Sequence, residues 1–246
     1  EEQLIYGIHP VAEALKAGKE FDRVFIHRGA RGEGIHQLKK ELKEHGVSWV
    51  EVPVEKLNRF TRKNHQDVVA FISPVDYQPL EQVVPTLFEQ GKAPLILLLD
   101  RITDVRNFGA IARSAECAGV HAIVIPHRGA ATVTSDAIRT SAGALNRIPV
   151  CRVSDLRKAA MFLQESGLLV VAATEKGKED YFAADFSGPL AIVMGSEEDG
   201  ISPEMIKTAD KLLRIPMLGN VGSLNVSVAA GIVLFETVRQ RLGQRS

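Results

Sequence analysis

Three short clusters carry the residue types that could do chemistry: Asp104-Val-Arg-Asn107-Phe-Gly109-Ala-Ile-Ala-Arg113, Val193-Met-Gly195-Ser-Glu197-Glu-Asp-Gly200, and Ile215-Pro-Met-Leu-Gly-Asn-Val-Gly-Ser223-Leu-Asn225-Val-Ser227. Each follows a run that reads as a strand, where open α/β sheets place their ligands. Arg113 offers a planar guanidinium that keeps its proton, so it suits gripping a phosphate and lowering the pKa of a neighbouring hydroxyl rather than acting as a base. Asn107 can present an amide to that hydroxyl or cap its own helix. Glu197 can accept from Asn107 or Arg113 and fix their geometry, or it can offset the charge of a helix N-terminus. Ser223 and Asn225 stand at the start of a helix, where each can touch a ligand or, for Ser223 in particular, cap the backbone. The chemistry on offer is positioning and electrostatic activation of a hydroxyl nucleophile. Cys117 and Cys151 are the two cysteines, with no CxxC and no His pair beside them. A zinc site is therefore not expected, and both thiols read as reduced core residues.

The charge pattern says which anion to expect. Lys and Arg total 30 and Asp and Glu total 30, and a net charge of zero alone counts against a nucleic-acid partner. The charge is segregated, however. Residues 101–152 hold seven bases and three acids, residues 153–210 five and eleven, and residues 211–246 five and one. All seven bases in 101–152 are Arg: Arg101, Arg106, Arg113, Arg128, Arg139, Arg147 and Arg152. A solvated face would mix Lys with Arg, whereas an Arg-only set suits two-point contact with phosphate.

Elements that could position these residues follow from the apolar spacing. The chain is 45% hydrophobic and 24% charged, ordinary for a globular protein. Its longest apolar runs, at 94–99 and 226–235, fall short of the ~20 residues that span a bilayer. No basic-then-apolar leader precedes Leu4, so a cytoplasmic protein is expected. Residues 1–75 predict a small α/β unit: a helix at 10–18, a strand at 23–27, a helix at 34–45, a strand at 48–52, a short helix at 54–60 and a strand at 68–72. Residues 76–92, with Pro79 and Pro85, read as a linker holding a helical turn or two. Residues 93–246 alternate strands (94–100, 121–126, 148–153, 168–174, 190–195, 211–215) with helices (107–118, 135–145, 155–166, from 203, 223–241). That order predicts a parallel sheet covered on both faces. The last helix has almost no polar face before Glu236, which predicts burial against its own sheet and a second subunit. No GxGxxG follows Leu99, so a Rossmann-type cofactor site is disfavoured.

The three clusters resemble the motifs NxGAxxR, GxExxG and IPMxGxxxSLNVSVA of the SpoU/TrmH (SPOUT) family of RNA ribose methyltransferases, and the resemblance covers the whole second unit. The first unit, with His65-Gln66 before its closing strand, resembles the small RNA-binding domain of the RlmB-type subfamily, which methylates large-subunit rRNA guanosine. The resemblance implies a parallel sheet with a C-terminal trefoil knot, a homodimer, S-adenosylmethionine as cofactor without a metal, and 2′-O-methylation of a ribose in rRNA. It implies catalytic roles for Arg113, Asn107, Glu197, Ser223 and Asn225. Cofactor contact is implied at the backbone of Gly195, Ile215 and Leu224, and at Thr174, which can equally be a cap. A tRNA ribose methyltransferase and a non-catalytic RNA-binding assembly factor are the alternatives. In the first unit, Arg59, Arg62 and Lys63 beside His65 are the local patch expected to touch RNA. Three positions depart from the family pattern: Val105 replaces a usual Pro, Glu198 a common Gly, and Asp67 the Gly that often follows His-Gln.

Overall fold

The computed structural model describes residues 3–196 and 198–243. They form two compact units, one of residues 3–76 with 133–135 and one of residues 77–132 and 136–243. In the first unit β1 (Gln3–Tyr6), β2 (Phe21–His27), β3 (Trp49–Val52) and β4 (Val68–Ile72) make a sheet in the order β1-β4-β2-β3. β4 runs antiparallel to β1 and β2, and β2 runs parallel to β3. Alternate side chains of β4 serve two small cores. Val68, Ala70 and Ile72 pack with Val11, Leu15, Leu38 and Leu42 of α1 (Ile8–Lys16) and α2 (Glu33–Glu44). Val69 and Phe71 pack with Leu57 of α3 (Val54–Phe60), where Phe60 lies edge-on to Phe71. β1 was not anticipated, because its four part-exposed residues carry no clear alternation.

The His65-Gln66-Asp67 turn is built for backbone geometry. Gln66 and Asp67 take φ of 47° and 65°. Asp tolerates this left-handed region better than most residues, which accounts for Asp67 in place of Gly. The Gln66 side chain accepts from Ile8 N at the start of α1 (3.2 Å). His65 is buried: its Nδ1 accepts from Asp67 N (3.1 Å), so Nε2 carries the proton and donates to Asn58 Oδ1 (3.0 Å). His65 is thus engaged within the fold, while Arg59, Arg62 and Lys63 remain exposed.

The second unit holds one parallel sheet of β5 (Leu95–Asp100), β6 (Ala122–Pro126), β7 (Val150–Val153), β8 (Leu169–Ala173), β9 (Glu179–Asp180), β10 (Leu190–Gly195) and β11 (Lys211–Arg214), ordered β7-β6-β5-β10-β8-β11-β9. Its helices are α4 (Leu80–Glu89), α5 (Val105–Cys117), α6 (Ser135–Thr140), α7 (Leu156–Glu165), α8 (Pro203–Thr208) and α9 (Val226–Gly243). α4, α7 and α8 pack on one face over Ile96, Leu98, Val124, Val170 and Val193. α5 and α9 pack on each other across the opposite face. Among the described residues no helix is long and apolar enough to cross a membrane.

Several boundaries differ from expectation for identifiable reasons. The segment read as a linker carries α4, ten residues long, with Leu80, Val84 and Leu87 buried; their spacing of four and three prevails although Pro85 lies inside the helix. The helix expected over 135–145 stops at Thr140, because Ala142 and Gly143 take φ of 50° and 81°. α5 begins two residues before Asn107, and Asp104 is its cap, accepting from Asn107 N at 2.8 Å. α9 begins at Val226, so Ser223 precedes the helix rather than opening it. Cys151 is buried and its thiol is pushed up to about 12 by desolvation, but Cys117 is exposed rather than in the core.

Candidate functional site

A cavity of about 300 Å³ opens at the carboxyl ends of β8, β10 and β11. Thr174 follows β8, Gly195 ends β10, Ile215 follows β11, and Ser223 and Leu224 lead into α9; all five line this one space. Glu175, Glu198 and Asp199 also line it, and no Lys, Arg or His does among the described residues. A wall with three carboxylates and no base opposes phosphate and favours a cationic ligand. Among the described residues no group of His, Cys, Asp and Glu is placed to hold a metal. None of the three acidic lining residues is an expected site residue from the sequence, although Glu198 and Asp199 lie inside the second cluster and Glu198 departs from the family pattern.

Close chain packing shapes the cavity. A Cβ on Gly195 would lie 2.3 Å from the backbone of Gly200 and Ile201. Its missing side chain therefore admits the returning turn, closed by Ser196 N to Gly200 O (3.1 Å) and Gly200 N to Ser196 O (3.0 Å). Thr174 N donates to Leu213 O (2.8 Å), and its hydroxyl accepts from Lys176 N (3.3 Å), so this residue holds a turn as well as lining the cavity. A Cβ on Gly177, in the same turn, would sit 2.6 Å from the carbonyl carbon of Leu213.

Beside the cavity, α5 meets the start of α9. Asn225 Nδ2 donates to Asn107 Oδ1 (3.0 Å), joining two candidate residues 118 positions apart. Asn225 Oδ1 accepts from Ser227 N (2.9 Å), which makes Asn225 the cap of α9. The Asn107 Nδ2 group has no partner among the described residues and remains a donor. Gly109 serves packing, since a Cβ there would lie 2.6 Å from Thr140 Cβ on α6. Arg113 is exposed and has no ion pair with a described residue; Arg106, seven positions earlier, shares its helical face and is also exposed. Glu197 lies outside the described residues.

The seven arginines divide into two sets. Arg101, Arg139 and Arg147 form ion pairs with Asp199, Asp136 and Glu116, and Arg152 stacks on Tyr77 with its guanidinium 5.1 Å from the ring centre. Arg106, Arg113 and Arg128 face solvent with no ion pair to a described residue. Burial, together with Arg152 and Arg128, holds the His127 imidazole below its ordinary pKa, which marks a positive field at the end of β6. Three of the seven arginines are thus left exposed without an ion pair to a described residue.

The SpoU rRNA Methylase family matches this chain over residues 94–235, and the RNA 2′-O ribose methyltransferase substrate binding family matches residues 4–78. The chain is 37% identical over 245 residues to 23S rRNA (guanosine-2′-O-)-methyltransferase RlmB of Vibrio vulnificus (strain CMCP6), covering 99% of both. Among solved structures it is similar to an AdoMet-bound rRNA methyltransferase from Sinorhizobium meliloti, with 29% identity, a TM-score of 0.61, and 96% of this chain and 86% of that chain covered. It is also similar to the A. aeolicus TrmH/SpoU tRNA modifying enzyme, with 29% identity and a TM-score of 0.57, covering 68% of this chain and 86% of that one. The likeness to the tRNA enzyme leaves part of this chain without a counterpart, whereas the likeness to the rRNA enzymes runs through nearly all of it.

Proposed function

This chain belongs to the SpoU rRNA methylase family, and from that premise we propose that it transfers a methyl group from S-adenosylmethionine to the 2′-hydroxyl of a guanosine ribose in large-subunit rRNA. The observation that carries the reading is the acidic cavity at the strand ends, adjoining the Asn107–Asn225 pair. Its residues fit the cofactor: carboxylates suit the sulfonium and ammonium charges, Leu224 and Ile215 offer apolar surface, and no base among the described residues lines it to hold a nucleotide phosphate. When bound, S-adenosylmethionine supplies an electrophilic methyl group that an in-line oxygen can accept. Thr174 and the backbone of Gly195, Ile215 and Leu224 would hold the cofactor, and Ser223, which lines the same cavity, would contact cofactor or substrate. The amide of Asn107, oriented by Asn225, positions the ribose hydroxyl. Arg113 grips the adjacent phosphate and stabilises negative charge as the hydroxyl oxygen approaches an alkoxide; the hydroxyl proton passes to water, the oxygen takes the methyl group, and S-adenosylhomocysteine is the leaving group. Glu197 is assigned to orienting these groups. The first unit, with exposed Arg59, Arg62 and Lys63, selects the RNA.

The same reading extends to assembly. Leu218 is 99% exposed and Val221 76%, and Val228 and Phe235 of α9 are about half exposed, at 51% and 49%. A second copy of the chain is the partner we assign to these apolar groups, with the protein in the cytoplasm. We also assign to this chain the C-terminal trefoil knot that the family resemblance implies; the close approach of Gly177 to the backbone of Leu213 and Arg214 accords with it. Mapping 2′-O-methyl groups in rRNA with and without the gene tests the activity: loss at one guanosine is expected, and an unchanged map overturns it. Sedimentation of the wild type as a monomer would overturn the assembly, and Phe235→Asp is expected to weaken it.

A further inference from the structure

Asp100 ends β5 and Arg101 follows it, and both reach the turn that forms one wall of the cavity. Arg101 Nη1 donates to Asp199 Oδ2 (3.2 Å) and Nη2 donates to Gly200 O (3.1 Å). The Arg101 Nε lies 3.5 Å from Asp100 Oδ1 and is buried without a hydrogen bond. Asp100 is buried, and its Oδ2 accepts from Ser202 N (2.6 Å). Two consecutive residues thus fasten the turn at 199–200 and again at 202. Arg101 does so from φ 61°, a conformation uncommon for a residue with a side chain and one its contacts must sustain.

We propose that Arg101 is a positioning residue for cofactor binding: it pre-orders the 199–202 wall of the cavity and neutralises Asp199, so that Glu175 and Glu198 are the carboxylates left to meet the ligand's positive charge. The inference rests on the reading of this cavity as the S-adenosylmethionine site. Arg101 does not line the cavity, so it acts through Asp199 and Gly200, which do. A wall already held in place costs less ordering on binding, and the gain belongs to affinity rather than to the transfer step. Gly195 leaves the turn little slack on its other side, because the backbone there already stands at the limit of approach.

The test uses the full chain with S-adenosylmethionine as the probe, comparing wild type, Arg101→Gly, Arg101→Lys, Asp199→Asn and the Arg101→Gly/Asp199→Asn double variant by calorimetry, thermal melting and single-turnover transfer. Arg101→Gly is expected to raise the cofactor Kd by about tenfold, in the range of losing an ordering contact, while the rate at saturating cofactor stays within about twofold. Its melting temperature is expected to hold or rise, because Gly accepts the left-handed backbone without strain. Arg101→Lys should recover part of the affinity, and the double variant should bind no more than about twofold less tightly than Arg101→Gly if the two residues act as a unit. Unchanged affinity in Arg101→Gly overturns the proposal, as does a loss of affinity that merely tracks a fall in melting temperature. Failure of the wild type to bind S-adenosylmethionine overturns the cofactor reading of the cavity itself, and the positioning role falls with it.

Discussion

Arg101 and Arg113 stand at either end of one strand-to-helix passage, yet one is tied to two aspartates and the other faces solvent without an ion pair to a described residue. Composition alone groups them as phosphate contacts; their difference depends on Asp199, about a hundred positions away, which no local spacing reveals. The same limit applies to Gly195. The motif marks it, but the reason for glycine is the returning backbone of Gly200. Ser223 and Asn225 are both expected site residues from the sequence; the structure puts Ser223 on the cavity wall and makes Asn225 the cap through its bond to Ser227 N. At this scale the decisive prediction concerns Arg113. Arg113→Ala should slow single-turnover methyl transfer to rRNA by about a hundredfold to a thousandfold, the usual loss when a donor to developing negative charge is removed. Cofactor affinity should stay unchanged, because Arg113 does not line the cavity. Arg113→Lys should recover little, since a point charge does not reproduce the fork. A rate within about tenfold of wild type would make Arg113 structural and move the role to Ser223 or Asn225.

Elements were legible wherever apolar spacing was strong. β10 falls on its expected span, and α2, α7 and β4 lie within a residue or two of theirs. β9, two residues long, carries no signal of its own. The lower edge of the second sheet shows how elements are fastened. Arg241, near the end of α9, is part-buried and donates to the carbonyls of Ala93, Pro94, Phe186 and Gly188 around the starts of β5 and β10. Arg241→Ala is expected to cost about 2–3 kcal/mol in denaturant unfolding, the range for losing charge-assisted hydrogen bonds; a loss under about 0.5 kcal/mol would show that water replaces the guanidinium there. His121 lies at the same edge, where its Nδ1 accepts from Leu95 N (3.0 Å). Burial, with Lys92 and Arg241, holds its pKa below the ordinary 6.5. The unfolded chain therefore takes up the proton first, so stability is level above about pH 6.5 and falls as the pH drops below it. His121→Gln keeps an acceptor but does not titrate, and should make the decline in unfolding midpoint between pH 7.5 and 5.5 shallower. His127, also lowered, adds to the slope in the same direction.

For the whole molecule, the two-unit plan and the parallel sheet followed from the order of elements, while the segment between them did not, because Pro79 and Pro85 masked a helix. That helix decides where the second unit can be cut. Leu80, Val84 and Leu87 of α4 are buried in the same core as Ile96, Leu98 and Cys151, and Gln78 N donates to Val150 O (2.9 Å) on β7. Burying three such aliphatic side chains contributes about 5–9 kcal/mol, comparable with the entire net stability of a domain, about 5–15 kcal/mol. We therefore place the boundary at Asp76–Tyr77 and predict that a fragment of residues 77–246 folds cooperatively and binds S-adenosylmethionine with an affinity close to that of the full chain. A fragment of residues 93–246 keeps every cavity-lining residue but exposes the strip that α4 covers, and it should aggregate or melt without a cooperative transition. Without the first unit, the longer fragment should lose preference for its native rRNA site while retaining the cofactor. Circular dichroism melting and calorimetry on the two fragments separate these outcomes. If residues 93–246 fold and bind as well as residues 77–246, α4 is a dispensable cover and the boundary moves to Ala93.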